Sequence, residues 1–242
     1  MKQNIYDDPR FFEGYSQLRR HESGLNMAVD QPAMRSLLPT LANKRVLDLG
    51  CGFGKMCRYV IEEGAASVVG VDISTKMLAK AREDTADPRI SYVQSALEDL
   101  NFAPASFDVV ISSLAIHYVE RFDMICANVK SWLVNGGAFV FSVEHPMVTA
   151  YPVGAYLAGK DEGQHWAIDN YKFDGIRHTQ WITDDVIKYH RSVETYVNTL
   201  IDKGFTITRL LEPEATADAI RGRPELREES RRPTFMMISA RG

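Results

Sequence analysis

The stretch Arg45–Ala65, RVLDLGCGFGKMCRYVIEEGA, decides how the rest of the chain is read. Val46 to Leu49 is apolar but for Asp48, and Gly50, Gly52 and Gly54 follow at every second position. Beyond them Met56, Cys57, Val60 and Ile61 recur at helical spacing. Strand, glycine turn and helix, in that order, are how a doubly wound α/β fold brings its backbone close to a ligand. The acid two residues before Gly50 then asks which ligand tolerates it.

Working outward, short apolar runs alternate with helical stripes, which predicts a β-α-β series and a parallel sheet. RVLDLG and SVVGVDI read as the first two strands, ISYVQSA as the third, FDVVISSL as the fourth and GAFVFSVEH as the fifth. Met77, Leu78 and Ala81 stripe a helix that Ser74 is placed to cap; Met124, Ile125, Val129, Trp132 and Leu133 stripe another, which stops at the turn signal NGG. Residues 1–43 form a helical leader, 44–146 the core and 147–191 an insertion, and 192–242 complete the sheet of a single domain. Within the insertion, 146–170 reads as loop, while YKFDGIRHTQWI and DVIKYHRSV alternate as an antiparallel pair. The helix VETYVNTLIDKG and the strands FTITRLLE and PTFMMISARG follow. The expected architecture is α/β and Rossmann-like, with a seven-stranded mixed sheet and a small antiparallel lid between its fifth and sixth strands.

Composition narrows the function classes. The 242 residues are 45% hydrophobic, enough for one buried core, and carry a net charge of −4, which argues against broad capture of nucleic acid or an anionic membrane. The five arginines of RGRPELREESRR are interleaved with three glutamates and read as a solvated surface. No run approaches the length of a membrane helix, and MKQNIYDDPR has no signal-peptide core, so a cytoplasmic location is expected. Three cysteines and scattered histidines, with no CxxC or HExxH spacing, suggest neither a disulfide framework nor a metal site.

The glycine turn and Asp72, the acid ending the second strand, suit a nucleotide ribose, and a dinucleotide is one reading. But the spacing is GxGxG rather than GxGxxG, and Asp48 disfavours a pyrophosphate beside the turn. A cationic ligand without phosphates fits better. VLDLGCGFG, VVGVDIS, SALEDL, FDVVISSLAIHYV and GGAFVFSVEHP, in that order over residues 44–146, resemble the class I S-adenosylmethionine-dependent methyltransferases. The last motifs, with YHRSVETYVNTLIDKGF, are similar to a bacterial branch that acts on small molecules.

That resemblance implies S-adenosylmethionine as donor and S-adenosylhomocysteine as product. It places Asp48, Gly50, Cys51 and Gly52 around the methionine end, with Gly54 allowing close helix packing. Asp72 would take the ribose hydroxyls, Ile73 and Leu97 would meet the adenine with Glu98 behind, and Ser113 and Leu114 would pass beneath the sulfonium. The chain departs from the pattern at Ala96, where many relatives carry an acid for the adenine amino group.

Because the cofactor carries an activated methyl group, alignment of the acceptor can supply much of the rate, and a base is needed only if the accepting atom must lose a proton. His117, Glu144 and His145, at the ends of the fourth and fifth strands, are the candidate catalytic groups, and Tyr118 is their neighbour. Tyr6 and Tyr15 of the leader, with Trp181 and His190 of the insertion and His117, are the expected acceptor contacts; Phe11 and Phe12 read as packing residues. The expected activity is O- or N-methylation of a small aromatic or heterocyclic metabolite by a monomer or homodimer. A non-catalytic S-adenosylmethionine-binding protein and a nicotinamide oxidoreductase are the alternatives.

Overall fold

The computed structural model describes residues 2–20, 25–150, 156–158, 164–166, 168–224, 226–229 and 231–242. The leader forms a 3-10 turn at Ile5–Asp7, α1 at Pro9–Arg20, a π-helical turn at Asn26–Asp30 and α2 at Gln31–Leu37. Strands and helices then alternate: β1 (Arg45–Leu49), α3 (Lys55–Glu62), β2 (Ser67–Asp72), α4 (Thr75–Glu83), β3 (Ile90–Gln94), β4 (Phe107–Ser113), α5 (Phe122–Trp132) and β5 (Leu133–Glu144). The chain continues through α6 (Pro146–Thr149), β6 (Tyr156–Ala158), β7 (Gln164–Trp166), β8 (Gly175–Trp181) and β9 (Thr183–His190). It ends with α7 (Val193–Asp202), β10 (Thr206–Leu211), α8 (Ala217–Gly222), α9 (Leu226–Glu229) and β11 (Phe235–Arg241).

Seven strands join in the order β10-β11-β5-β4-β1-β2-β3, with β11 antiparallel to both neighbours and the other pairings parallel. The strands are apolar on both faces because helices cover both. Leu47, Leu49, Val110, Phe139 and Phe141 pack with α5 and α7, while Val46, Val68, Val109, Ile111 and Val140 pack with α2 and α3. Among the described residues β8 and β9 pair only with each other, as a hairpin that falls between β5 and β10 in the chain.

Two expectations need correction. Residues 146–170 are not all loop: Pro146 and the His145 cap start α6, and Tyr156–Ala158 pairs with Gln164–Trp166 in a small second hairpin. The rest of 151–163 lies outside the described residues. Nor does NGG separate helix from strand. β5 already pairs with β4 at Leu133, and Gly136, at φ 74°, absorbs a register slip between Phe107 and Val109 while its amide donates to the Gly242 carbonyl.

The start of α4 is secured twice. Ser74 Oγ accepts from Met77 N at 3.1 Å, as its position predicts, and Asp7 accepts from the amides of Thr75 and Lys76 at 3.2 and 3.0 Å. Three of the helix's orphan amides are thereby satisfied, two of them by the leader. Among the described residues no helix is long and apolar enough to cross a membrane.

Candidate active site

The turn after β1 folds back so that the amides of Gly50 and Cys51 both donate to the Val71 carbonyl, at 2.8 and 2.9 Å. Gly50 has φ 78°, and a Cβ there would come within 2.3 Å of the Ala115 Cβ, so only glycine lets the β1 and β4 loops meet. Gly52, at φ 53°, would point its Cβ into open space, with nothing within 4 Å. Its amide donates to Asp72 Oδ2 at 2.9 Å, and Ser74 N donates to Oδ1 at 2.9 Å. These bonds orient the Asp72 carboxylate; burial still pushes its pKa up, against the lowering effect of the two amides.

Gly50, Cys51, Gly52, Asp72, Ile73, Leu97, Ser113 and Leu114 all line one cavity of about 1240 Å³. It opens at the carboxyl ends of β1 and β4, where the strand order reverses and ligands gather in such sheets. Ala96 is on the same wall with Glu98 and Asp99. Gly54 stands at the start of α3 with φ 70°, and a Cβ there would come within 2.1 Å of the Tyr92 hydroxyl of β3.

Tyr6, Tyr15, Trp181, His117, Tyr118 and Glu144 close the other end of the cavity. Tyr6 sits edge-on to Phe11, Tyr15 and Tyr118, at centroid distances of 4.9, 5.2 and 6.1 Å, and Phe11 meets Trp181 at 5.3 Å. Burial pushes the hydroxyls of Tyr6 and Tyr118 well above their usual pKa, so both stay protonated. His117 is 2% exposed; burial lowers its pKa to about 4, against the raising effect of Glu144. Its Nδ1 accepts from the Glu144 amide at 3.4 Å, which leaves the ring proton on Nε2. Lys188 Nζ reaches both Glu144 oxygens, at 2.7 and 2.8 Å. Burial, the largest single influence, would raise the Glu144 carboxyl, but the Lys188 ammonium together with His117 and Arg232 brings the pKa below the usual carboxylate range.

Three candidates lie off the cavity wall. Asp48 is 2% exposed beneath the glycine turn, where Cys57 Sγ donates to its Oδ2 at 3.3 Å. His145 is one residue past Glu144 in extended backbone and therefore faces the other way. Its Nδ1 caps α6 by accepting from Met147 N at 3.1 Å, and its Nε2 meets Glu212 at 3.0 Å. The same alternation removes His190: Ile187 and Tyr189 of β9 are on the wall, whereas His190 is buried against Thr149 Oγ1 at 2.7 Å and the Tyr171 carbonyl at 3.0 Å.

The sequence reading missed Gln31 and Met27 on the wall, and Lys188 behind Glu144. It also missed Gln3, which ties the leader to the hairpin: Gln3 Nε2 donates to the Ile187 carbonyl at 3.2 Å and Ile187 N donates to Gln3 Oε1 at 2.8 Å. No local pattern marks such contacts, which span up to 184 positions.

The geometry fits S-adenosylmethionine: an oriented carboxylate for the ribose and an open glycine backbone beside it. Residues 47–141 match the family described as a methyltransferase domain. An S-adenosylmethionine-dependent methyltransferase from Mesorhizobium loti is 41% identical, aligns over 91% of this chain and 99% of its own, and superposes with a TM-score of 0.85. A counterpart from Listeria monocytogenes, named as a putative enzyme of the same kind, is 41% identical over 87% of this chain and 95% of its own, with a TM-score of 0.81. A malonyl-[acyl-carrier protein] O-methyltransferase of Enterobacter lignolyticus is 36% identical over 110 residues, which are 46% of this chain and 43% of that protein. Full-length similarity and the donor site agree: the chain belongs to the S-adenosylmethionine-dependent methyltransferases, which sets the nicotinamide alternative aside.

Proposed function

We propose that this methyltransferase acts on a small, flat aromatic or heterocyclic acceptor, methylated at nitrogen or oxygen. The cavity carries the reading. At about 1240 Å³ it exceeds the roughly 300–1000 Å³ usual for one small ligand, and it runs without a break from Asp72 and Leu97 to the aromatic chamber. Donor and acceptor would share it.

Asp72 would hold the ribose hydroxyls, Ile73 and Leu97 the adenine, Gly50–Gly52 the methionine end, and Ser113 and Leu114 the floor below the sulfonium. When bound, the cofactor supplies a methyl group already activated for in-line displacement. The remaining work is alignment and exclusion of water, which suits a chamber walled by Tyr6, Tyr15, Tyr118 and Trp181. His117 is neutral near pH 7 and offers Nε2–H, so it would donate to an acceptor oxygen or ring nitrogen. Glu144 stays ionised and would receive an acceptor N–H or O–H. Both are weak bases, with pKa values below the working pH. They orient an acceptor whose nucleophilic atom has a free lone pair at neutral pH, a heteroaromatic nitrogen or an acidic hydroxyl.

Turnover of a library of heteroaromatic amines and phenols, read as S-adenosylhomocysteine release, tests this against malonyl thioesters on a carrier protein. We expect turnover of flat acceptors, and kcat/KM at least about tenfold lower in Trp181→Ala with unchanged affinity for S-adenosylhomocysteine. Turnover of the carrier-bound thioester alone contradicts the reading, and cofactor binding without turnover of either class favours a non-catalytic protein.

A further inference from the structure

The aromatic end of the cavity carries features that point to opposite ligands. Tyr6, Tyr15, Tyr118 and Trp181 stand around the Glu144 carboxylate, and rings around a negative charge would by themselves suit a cation. Lys188 of β9 changes that account. It is 5% exposed, and its Nζ reaches both Glu144 oxygens, at 2.7 and 2.8 Å. The Glu144 side chain keeps 20% of its surface open against 7% for Lys188, so the carboxylate faces the cavity and the ammonium backs it. Each carboxylate oxygen has a second lone pair, so Glu144 can still accept from a ligand N–H or O–H while its charge is already matched.

Lys188 also engages the ring best able to hold a cation. Its Nζ lies 5.5 Å from the centroid of Trp181, within the range of a cation–π contact, so that ring already has a cation on one face. The other charged groups near this end do not restore a negative field. His117 is a neutral imidazole, Arg232 bears on Glu144 with the same sign as Lys188, and Arg191 is buried while donating to the carbonyls of Val119 and Glu120. Arg121 pairs with Asp123, and Glu120 is exposed, where solvent and salt screen it.

We infer that Lys188 is a specificity-determining residue of the acceptor end: by matching Glu144 and covering one face of Trp181, it turns the chamber from a cation site into one for an uncharged flat ring that presents N–H or O–H to Glu144. The inference rests on the acceptor reading above. Lys188 acts through Glu144 and Trp181, touches no reacting atom and moves no proton.

Calorimetric titration of two flat probes of one outline, with S-adenosylhomocysteine saturating, tests it: 4-quinolone, neutral with a ring N–H, and 4-aminoquinoline, a cation at neutral pH. The wild type should bind the neutral probe at least about tenfold more tightly, and Lys188→Met should move that ratio toward the cation by about tenfold or more. Lys188→Arg, which keeps the charge, should keep the wild-type preference. A wild type that prefers the cation overturns the inference. So does a Lys188→Met protein that weakens both probes alike with the ratio unchanged, because a merely structural lysine would act that way. Lys188→Gln serves for the same comparison should the Met variant not fold. A wild type that binds S-adenosylhomocysteine but neither probe is a different result: it sinks the flat-acceptor reading, and the inference with it.

Discussion

Asp48 lies inside β1 with the Cys57 thiol donating to its carboxyl. Burial pushes its pKa up to about 7, and the nearby Asp72 charge adds to the shift. The sign of the consequence follows from linkage. Below the unfolded-state pKa of about 3.9 both states are protonated and the shift has no effect; as pH rises, the unfolded chain releases the proton first, and folding is progressively penalised until pH passes about 7. Asp48→Asn should therefore gain stability relative to the wild type as pH rises from about 4 to 7, by about 4 kcal/mol at most, and then level off. Urea unfolding of both proteins across that range reads it, and a flat difference contradicts the raised pKa. At this scale the clustering of the proposed donor residues was legible because they are local: Gly50, Gly52, Asp72, Ile73, Ser113 and Leu114 follow directly from strand ends, and all are on the cavity wall. Asp48 was not, because its spacing in the motif says nothing of whether its carboxyl faces the ligand or the core.

The elements that close the cavity come from opposite ends of the alignment. The leader is fixed to the donor side by Asp7 at α4 and by Lys2 to Asp99 at 2.5 Å, and to the acceptor side by the paired amide bonds of Gln3 with Ile187. It spans the mouth as a strap. Deletion of residues 1–7 should speed S-adenosylhomocysteine dissociation at least about tenfold while far-ultraviolet circular dichroism stays that of the intact core. Stopped-flow displacement measures the rate; an unchanged value shows that the strap does not retain the ligand. The helices of the leader and the paired strands of the hairpin were legible from their periodicity, and both line the cavity. Their registry was not. Which of Ile187, Lys188, Tyr189 and His190 faces the cavity depends on the parity of β9, and a shift of one residue exchanges the two sets. The reading of His145 failed on the same parity at the end of β5.

At the scale of the whole molecule, the reversal of strand order between β1 and β4 creates the crevice, and the leader and the hairpin both line the cavity that opens there. The strands and the mixed seven-stranded sheet were legible because each β-α unit carries its own period. The aromatic chamber was less so, since its wall is drawn from Tyr6 to Trp181 and no short motif contains it. A shared chamber implies that the donor half can be tested before the acceptor is known. The most direct measurement is isothermal titration of S-adenosylhomocysteine into the wild type and Asp72→Ala, with NAD as competitor. The structure predicts one-to-one binding, weakened roughly a hundredfold or more by the substitution and untouched by NAD. Equal binding by Asp72→Ala, or displacement by NAD, would contradict it.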